Sequence, residues 1–200
     1  MNNWKVFRSA VLAGICISIA GFGFLALGGI AGAVLFSFGL LAVVNYQFKL
    51  FTGTAGFFKK GEFCQLLLIL LGNIAGCLLV SFLVDVSPLH LDEAAQKLLS
   101  GRLSTGWWQC GLLAIGCGFI MTTVVTFARK GQWIPLLFGV PMFIVCGFPH
   151  CIADAFYYLC APMSFLAENT GAVLLLYVSI VLGNFIGCNL YRTLLPETTS

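Results

Sequence analysis

The chain has 200 residues, of which 60% are hydrophobic and only 8% are charged, and its formal net charge is +3 at pH 7. Globular domains carry about 25% charged residues, so this composition excludes an ordinary soluble domain and indicates an all-α integral membrane protein. At about 20 residues per membrane-spanning helix, the length allows roughly six spans and leaves little room for any soluble domain.

Six membrane-spanning helices are predicted in chain order. The first follows a short basic N-terminus and lacks a convincing cleavage site, so it is interpreted as a span rather than a signal peptide. A re-entrant piece is expected at about Phe51–Phe58, and a polar segment outside the bilayer at Asp85–Gly106. The predicted spans are approximately Ser9–Leu27, Ile30–Lys49, Phe63–Val84, Trp107–Phe127, Trp133–Cys160 and Gly171–Tyr191.

The basic residues are divided unequally between the two sides of this arrangement. One side holds only Lys97 and Arg102. Because Lys and Arg favour the cytoplasmic side, both termini are predicted to be cytoplasmic, in the inner (plasma) membrane of a prokaryote. The eight basic residues on the predicted cytoplasmic side are Lys5, Arg8, Lys49, Lys59, Lys60, Arg129, Lys130 and Arg192.

A motif of the form L-G-N-x-x-G-C occurs twice, at Leu71–Cys77 and at Leu182–Cys188. Each half contains three spans, an odd number, so two similar halves must insert in opposite directions. The sequence therefore predicts a single transmembrane domain, residues 1–200, built as an inverted 3+3 repeat of about residues 1–86 and 103–194. The paired glycines of the motif predict closely packed helices.

Two interruptions at matching places predict two broken helices. They lie at Phe51–Thr54 in the first half and at Gly147–His150 in the second. Irregular backbone at membrane depth is tolerated where it lines protein or a water-filled cavity. The buried amides Asn73 and Asn184 are expected either to hold this broken backbone or to contact a substrate.

His150 lies inside an apolar run, with Asp154 four residues later. Ionisable groups at membrane depth are costly and mark substrate pathways or proton relays. At this spacing Asp154 can pair with the imidazole, pack against other helices or contact substrate, and these alternatives stay open. His150 is therefore the first residue at which a function is expected.

Other chemistries find little support in the sequence. The nine cysteines fall mostly in apolar segments and form no C-x-x-C pair, so they are interpreted as packing residues. Because there are only two histidines, no haem, other cofactor or metal site is expected. No nucleophile–base arrangement and no nucleic-acid-binding patch is visible, so neither an enzyme nor a nucleic-acid partner is predicted.

Two short motifs overlap the interruptions. Leu50–Gly53 reads L-F-T-G, and Cys146–Ala153 contains G-F-x-H-x-x-A. With the paired Gly-Asn-x-x-Gly motifs and the six spans, they resemble the L-F-T loop and the G-F-E-H-S-x-A signature of the formate/nitrite transporter family, over essentially the whole chain. This resemblance implies an aquaporin-like protomer, assembled as a pentamer in membrane lipid, with its own pore for small monovalent anions.

The resemblance also implies roles for side chains. His150 and Asp154 would lie in the central pore with Thr52 in a mobile loop, and Gly53 and Gly147 would support the helix breaks. Lys97 would be the vestibule lysine. The hydrophobic constrictions would be formed by Leu50 and Phe51 on the cytoplasmic side and by Phe36 and Phe143, with Leu40 nearby, on the periplasmic side.

The chain departs from the family pattern around the pore. The glutamate before the histidine is Pro149 here, the asparagine four residues after it is Asp154, and the polar residue expected near Ala114–Ile115 is missing. These departures leave the identity of the substrate open.

The predicted function is a channel or transporter for small monovalent weak-acid anions. Formate is the first candidate, followed by nitrite, hydrosulfide and short-chain carboxylates. The anion could be protonated in a step linked to His150, because the pKa of an imidazole is readily shifted across physiological pH. Alternatively, hydrogen bonds from the Thr52 loop could stabilise it as an ion. A pore for small neutral solutes and a non-transporting membrane subunit of a redox complex are the alternatives.

Overall fold

A computed structural model describes residues 2–59 and 61–195, which fold into nine α-helices. Lys60 and the ends of the predicted domain lie outside the described residues. The helices in chain order are α1 (Asn3–Leu27), α2 (Gly29–Asn45), α3 (Phe51–Ala55), α4 (Phe63–Asp85), α5 (Leu91–Thr105), α6 (Trp107–Arg129), α7 (Ile134–Val145), α8 (Cys151–Cys160) and α9 (Met163–Leu194). Among these, α1, α4, α6 and α9 are long and apolar enough to cross a membrane.

Two long helix pairs, α1 with α4 and α6 with α9, form the frame of the molecule. Glycines bring each pair into close contact. A Cβ atom on Gly76 would overlap the backbone carbonyl of Val11, and one on Gly187 would overlap that of Ile115. Both glycines come from the repeated motif, so the two copies make the same kind of contact in their own pair.

Short connections separate α2 from α3 and α7 from α8, where the sequence predicts the two interruptions. Each begins with the same turn. Gln47 and Gly147 both have positive φ, 55° and 70°. Their N–H groups bond to the carbonyls of Val44 (3.1 Å) and Ile144 (3.0 Å). The two connections therefore share one local conformation in different sequences, and at Gln47 a side chain accepts a left-handed geometry that usually favours glycine.

The polar segment before α6 is more ordered than the sequence analysis indicated. It forms α5, which packs mainly on α8 and also contacts α1, α6 and α9. Leu91, Ala95 and Leu99, spaced four residues apart, form its buried face. Another difference is the start of α9 at Met163, well before the predicted start of the sixth span.

Apolar side chains cover much of the outside of the molecule, and several polar side chains are buried inside it. Large apolar side chains such as Ile30, Phe82 and Phe138 are exposed around the outside. Buried polar residues lie in the interior, among them Thr52, Asn73, His150, Asp154 and Asn184. An apolar exterior of this extent suits lipid rather than water, so the chain is a multi-pass membrane protein with a polar centre.

Candidate functional site

The centre of the site is a hydrogen bond between Thr52 and His150. The Thr52 Oγ1 and His150 Nε2 atoms are 2.9 Å apart. Thr52 is the second residue of α3, and His150 is the N-cap of α8. Both side chains are buried, so the two broken regions of the chain meet through this one polar contact.

The hydrogen bonds of the His150 ring define its tautomer. The backbone N–H of Ala153 donates to Nδ1 at 3.2 Å. Because Nδ1 accepts, the proton of the neutral ring lies on Nε2, and Nε2–H donates to the Thr52 hydroxyl oxygen. The Phe143 ring stacks against the imidazole with centroids 5.6 Å apart. The ring is thus presented as a neutral donor held between α3 and its own helix N-terminus.

Asp154 contacts the backbone of His150 rather than its ring. Its Oδ2 accepts from the His150 backbone N–H at 2.9 Å, and its Oδ1 accepts from the Tyr158 hydroxyl at 3.1 Å. With His150 capping Ala153, this forms a reciprocal cap of the kind that fixes a helix start. Asp154 is thus hydrogen-bonded within the first turns of α8, and contact with a substrate stays a prediction.

The cation that faces Asp154 is Arg102, near the end of α5. Arg102 Nε lies 3.2 Å from Asp154 Oδ1, and Arg102 Nη1 donates to the carbonyl of Gly147 at 2.6 Å. This is the one ion pair found within residues 2–59 and 61–195. From sequence, Arg102 is a cation on the predicted periplasmic side that either focuses anions or lies in a solvated loop, and its pair with Asp154 is not predicted. Its periodic segment, with Leu91, Ala95 and Leu99 in register, is the signal that could have identified a packed helix.

Asn73 and Asn184 hold the two helix breaks in matching ways. Asn73 Oδ1 accepts from Phe51 N–H at 2.8 Å, and its amide donates to the carbonyls of Lys49 (2.9 Å) and Ala10 (2.8 Å). In the second half, Asn184 plays the same part. It accepts from Cys151 N–H at 2.7 Å and donates to the carbonyls of Pro149 (2.9 Å) and Ala114 (2.8 Å). Both amides therefore use their donors and acceptor on backbone groups.

Two cavities formed by the described residues reach the predicted pore residues. The first, of about 640 Å³, is lined by Lys97, Arg102, Phe143, His150 and Asp154 among others. We call it the His150 cavity. The second, of about 560 Å³, we call the Leu50 cavity; its lining includes Leu40, Lys49, Leu50, Gly53, Thr54 and Arg129.

The predicted constriction residues are distributed around these cavities. The rings of Phe36 and Phe143 meet edge to face with centroids 6.2 Å apart. Phe36 and Phe51 are buried and line neither of the two cavities. Leu40 lies one helical turn after Phe36 in α2 and lines the Leu50 cavity.

The structure describes no arrangement suited to a metal. Among residues 2–59 and 61–195, no three His, Cys, Asp or Glu side chains lie together as ligands. Two buried thiols instead bond to backbone. Cys77 Sγ lies 3.5 Å from the carbonyl of Ile152, and Cys188 Sγ lies 3.4 Å from that of Thr52. Each thiol thus connects one half of the chain to the short helix of the other half.

Comparisons with known proteins give consistent results. A family model described as "Formate/nitrite transporter" matches residues 1–196. Formate-nitrite transporter 3 of Toxoplasma gondii is 25% identical over 222 aligned positions, covering 92% of this chain and 44% of that protein, so the chain spans less than half of its length.

Solved structures share the fold. A pentameric formate channel with formate bound superposes with a TM-score of 0.79 at 21% identity, over 96% of this chain and 95% of that one. An FNT family ion channel superposes with a TM-score of 0.75 at 16% identity, over 96% and 89% of the two chains. At these identities the similarity concerns the arrangement of helices.

Proposed function

The chain belongs to the formate/nitrite transporter family, and we propose that it is a membrane channel or transporter for small monovalent weak-acid anions. Formate is the first candidate for its substrate. Nitrite, hydrosulfide and short-chain carboxylates are further candidates in the same class. The observation that carries this proposal is the buried Thr52–His150 hydrogen bond, with a cavity on the side of each residue's own helix. A polar contact of this kind between apolar side chains suits a pathway for a small polar solute.

The proposed topology has six spans in two oppositely directed halves. Helices α1 to α4 form the first half and α6 to α9 the second, with α2–α3 and α7–α8 as the broken spans. The matched bonds of Asn73 and Asn184 support this assignment, since each amide holds the N-terminus of the short helix in its own half. By analogy with the solved pentameric formate channel, we extend the proposal to a pentamer in the lipid bilayer. Native mass spectrometry would measure the number of subunits.

The neutral His150 ring limits how a proton reaches the substrate. A charged imidazolium would place an N–H on Nδ1, where the Ala153 N–H already donates. The ring must therefore leave this cap before it can carry a second proton. In the proposed cycle, an anion approaches the Thr52 hydroxyl. The His150 ring, once out of its cap, takes a proton at Nδ1 from water in the cavity and gives its Nε2 proton to the anion, so the ring is neutral again and the neutral acid passes the Phe36 and Phe143 rings. Desolvating the bare ion there would be far more costly.

Uptake into proteoliposomes tests the function, with wild type and His150→Asn compared side by side. Asparagine can still cap the N-terminus of α8, so the variant removes the titratable group while keeping the helix start. We expect saturable formate uptake by the wild type. In the variant, uptake should fall about tenfold or lose its pH dependence.

The panel also includes nitrite, hydrosulfide, acetate, lactate, urea and water. Uptake of urea or water alone, unchanged in His150→Asn, would contradict the proposal and favour a pore for neutral solutes. Equal anion uptake by both proteins at every pH would retain the anion pore and remove His150 from its mechanism.

A further inference from the structure

One nitrogen of the Arg102 guanidinium makes no hydrogen bond to the described residues. Nε faces Asp154 Oδ1 and Nη1 donates to the Gly147 carbonyl, but Nη2 has no hydrogen-bond partner among the described residues. The side chain is 19% exposed, and it lines the His150 cavity. A fixed guanidinium therefore offers one unused donor group to the space beside His150.

We propose that Arg102 receives the substrate anion in the His150 cavity through Nη2, and that Asp154 limits how tightly the anion is held. This inference rests on the proposed function. A pore must bind its ion firmly enough to admit it and weakly enough to release it. Asp154, 3.2 Å from Arg102, compensates most of the guanidinium charge and so keeps the anion from being trapped.

The hydrogen bonds of Asp154 support a balancing role. Its Oδ2 is occupied by the His150 backbone N–H, and its Oδ1 is shared by Arg102 and Tyr158. These three bonds fix the carboxylate as an acceptor beside Arg102. In this position it acts on a nearby anion through its charge, and it would repel the anion if Arg102 were neutral.

The shape of the donor indicates a class of anion. A planar guanidinium matches the oxygens of a carboxylate or nitrite, whereas an ammonium acts as a point charge. Arg102 should therefore favour small oxyanions over hydrosulfide. Lys97 lines the same cavity with a flexible ammonium, so it provides a matched comparison with equal charge and different geometry.

The test compares wild type with Asp154→Asn, Arg102→Gln, the double variant and Lys97→Gln. Initial rates of formate and hydrosulfide uptake are measured against concentration, and thermal unfolding in detergent checks each fold. The asparagine side chain introduced by Asp154→Asn can still accept the His150 N–H bond, so that protein is expected to fold.

The expected pattern separates binding from turnover. Asp154→Asn should lower KM for formate several-fold and also lower the maximal rate, because the uncompensated guanidinium holds the anion. Arg102→Gln should raise KM about tenfold or more, since a carboxylate without its cation remains in the cavity. The double variant should lie between Arg102→Gln and wild type. Preference for formate over hydrosulfide should fall in Arg102→Gln and change little in Lys97→Gln.

Three outcomes would overturn the inference. The first is a KM that stays unchanged or rises in Asp154→Asn. The second is full recovery of the wild-type KM in the double variant, which would make the pair a packing unit. The third is an equal change in KM and in anion preference in Lys97→Gln, which would indicate that only the positive charge of the cavity matters. If the wild type takes up no anion at all, the proposed function itself is wrong, and the wild-type measurement shows this before any variant is compared.

Discussion

The hydroxyl of Thr52 is the acceptor that keeps the His150 ring in one tautomer. Its oxygen receives the Nε2–H of His150 at 2.9 Å, and its own hydrogen remains free to donate to a substrate oxygen. Cys188 bonds to the backbone carbonyl of the same residue. Thr52 is thus held from both its backbone and its side chain, which suits a residue that must present a donor at a fixed point.

Replacing Thr52 with valine tests this role at nearly constant volume. The His150 Nε2–H would lose its acceptor while buried, at a cost of about 1–3 kcal/mol. We therefore expect Thr52→Val to lower the free energy of unfolding in detergent by that amount and formate uptake by about tenfold. Thr52→Ser, which keeps the hydroxyl, is the control and should retain most uptake. Full transport by the valine variant would show that the hydroxyl is dispensable.

Sequence reasoning could locate His150 and Thr52 but not the partner of Asp154. A titratable ring within an apolar run stands out in a sequence, because burying it at membrane depth costs free energy and such residues usually serve a function. The Arg102–Asp154 pair joins residues 52 positions apart in different segments. Spacing along α8 points Asp154 towards its own N-terminal neighbours, and nothing in the periodicity of α8 indicates which cation α5 brings to it.

At the scale of elements, the two short helices are fastened by residues from both halves. Asn73 and Asn184 bond to the first N–H of α3 and of α8, respectively, each within its own half. Cys77 and Cys188 bond to the second carbonyl of the short helix in the opposite half. The repeated L-G-N-x-x-G-C motif therefore supplies an amide for one helix break and a thiol for the other, a division of roles that a packing interpretation of the cysteines did not include.

The glycines of this motif are expected to be intolerant of any side chain. A methyl group on Gly187 would overlap the carbonyl of Ile115, so α6 and α9 would have to separate. Overpacking of this kind costs about 1–3 kcal/mol, and Gly187→Ala should lower the unfolding temperature in detergent accordingly. Gly23→Ala in α1 is the matched control, because nothing lies within 4 Å of the position that its methyl group would take, and alanine favours helix. An equal loss in both variants would contradict close packing as the cause.

Helix boundaries were less predictable than helix packing. The sequence analysis ended the second span at Lys49, whereas α2 ends at Asn45 and continues into a turn with Gln47 at positive φ. No glycine or proline marks that turn, so sequence offers no local signal for it. The equivalent turn in the second half contains Gly147, and there the interruption is visible from composition.

At the scale of the whole molecule, charge is divided between the two cavities. Lys49 and Arg129 line the Leu50 cavity, and no acidic residue is among its described lining. The His150 cavity has Lys97 and Arg102, with Asp154 compensating part of their charge. Anions would therefore meet a stronger positive field at the Leu50 cavity, which would raise their local concentration on that side of the membrane.

The same division predicts which side is cytoplasmic. Arg129 bonds to the carbonyl of Gly53 and Arg192 to that of Phe58, so two basic residues of the second half lie near α3 of the first half. Lys and Arg are retained on the cytoplasmic side, so we expect the Leu50 cavity and both termini on that side and α5 on the opposite side. A fluorescent protein fused after residue 195 should be bright. Alkaline phosphatase inserted at Ser87, in the connection before α5, should be active. If both reporters indicated the same side, the number of spans between them would be even rather than odd, and the two halves could not be oppositely directed.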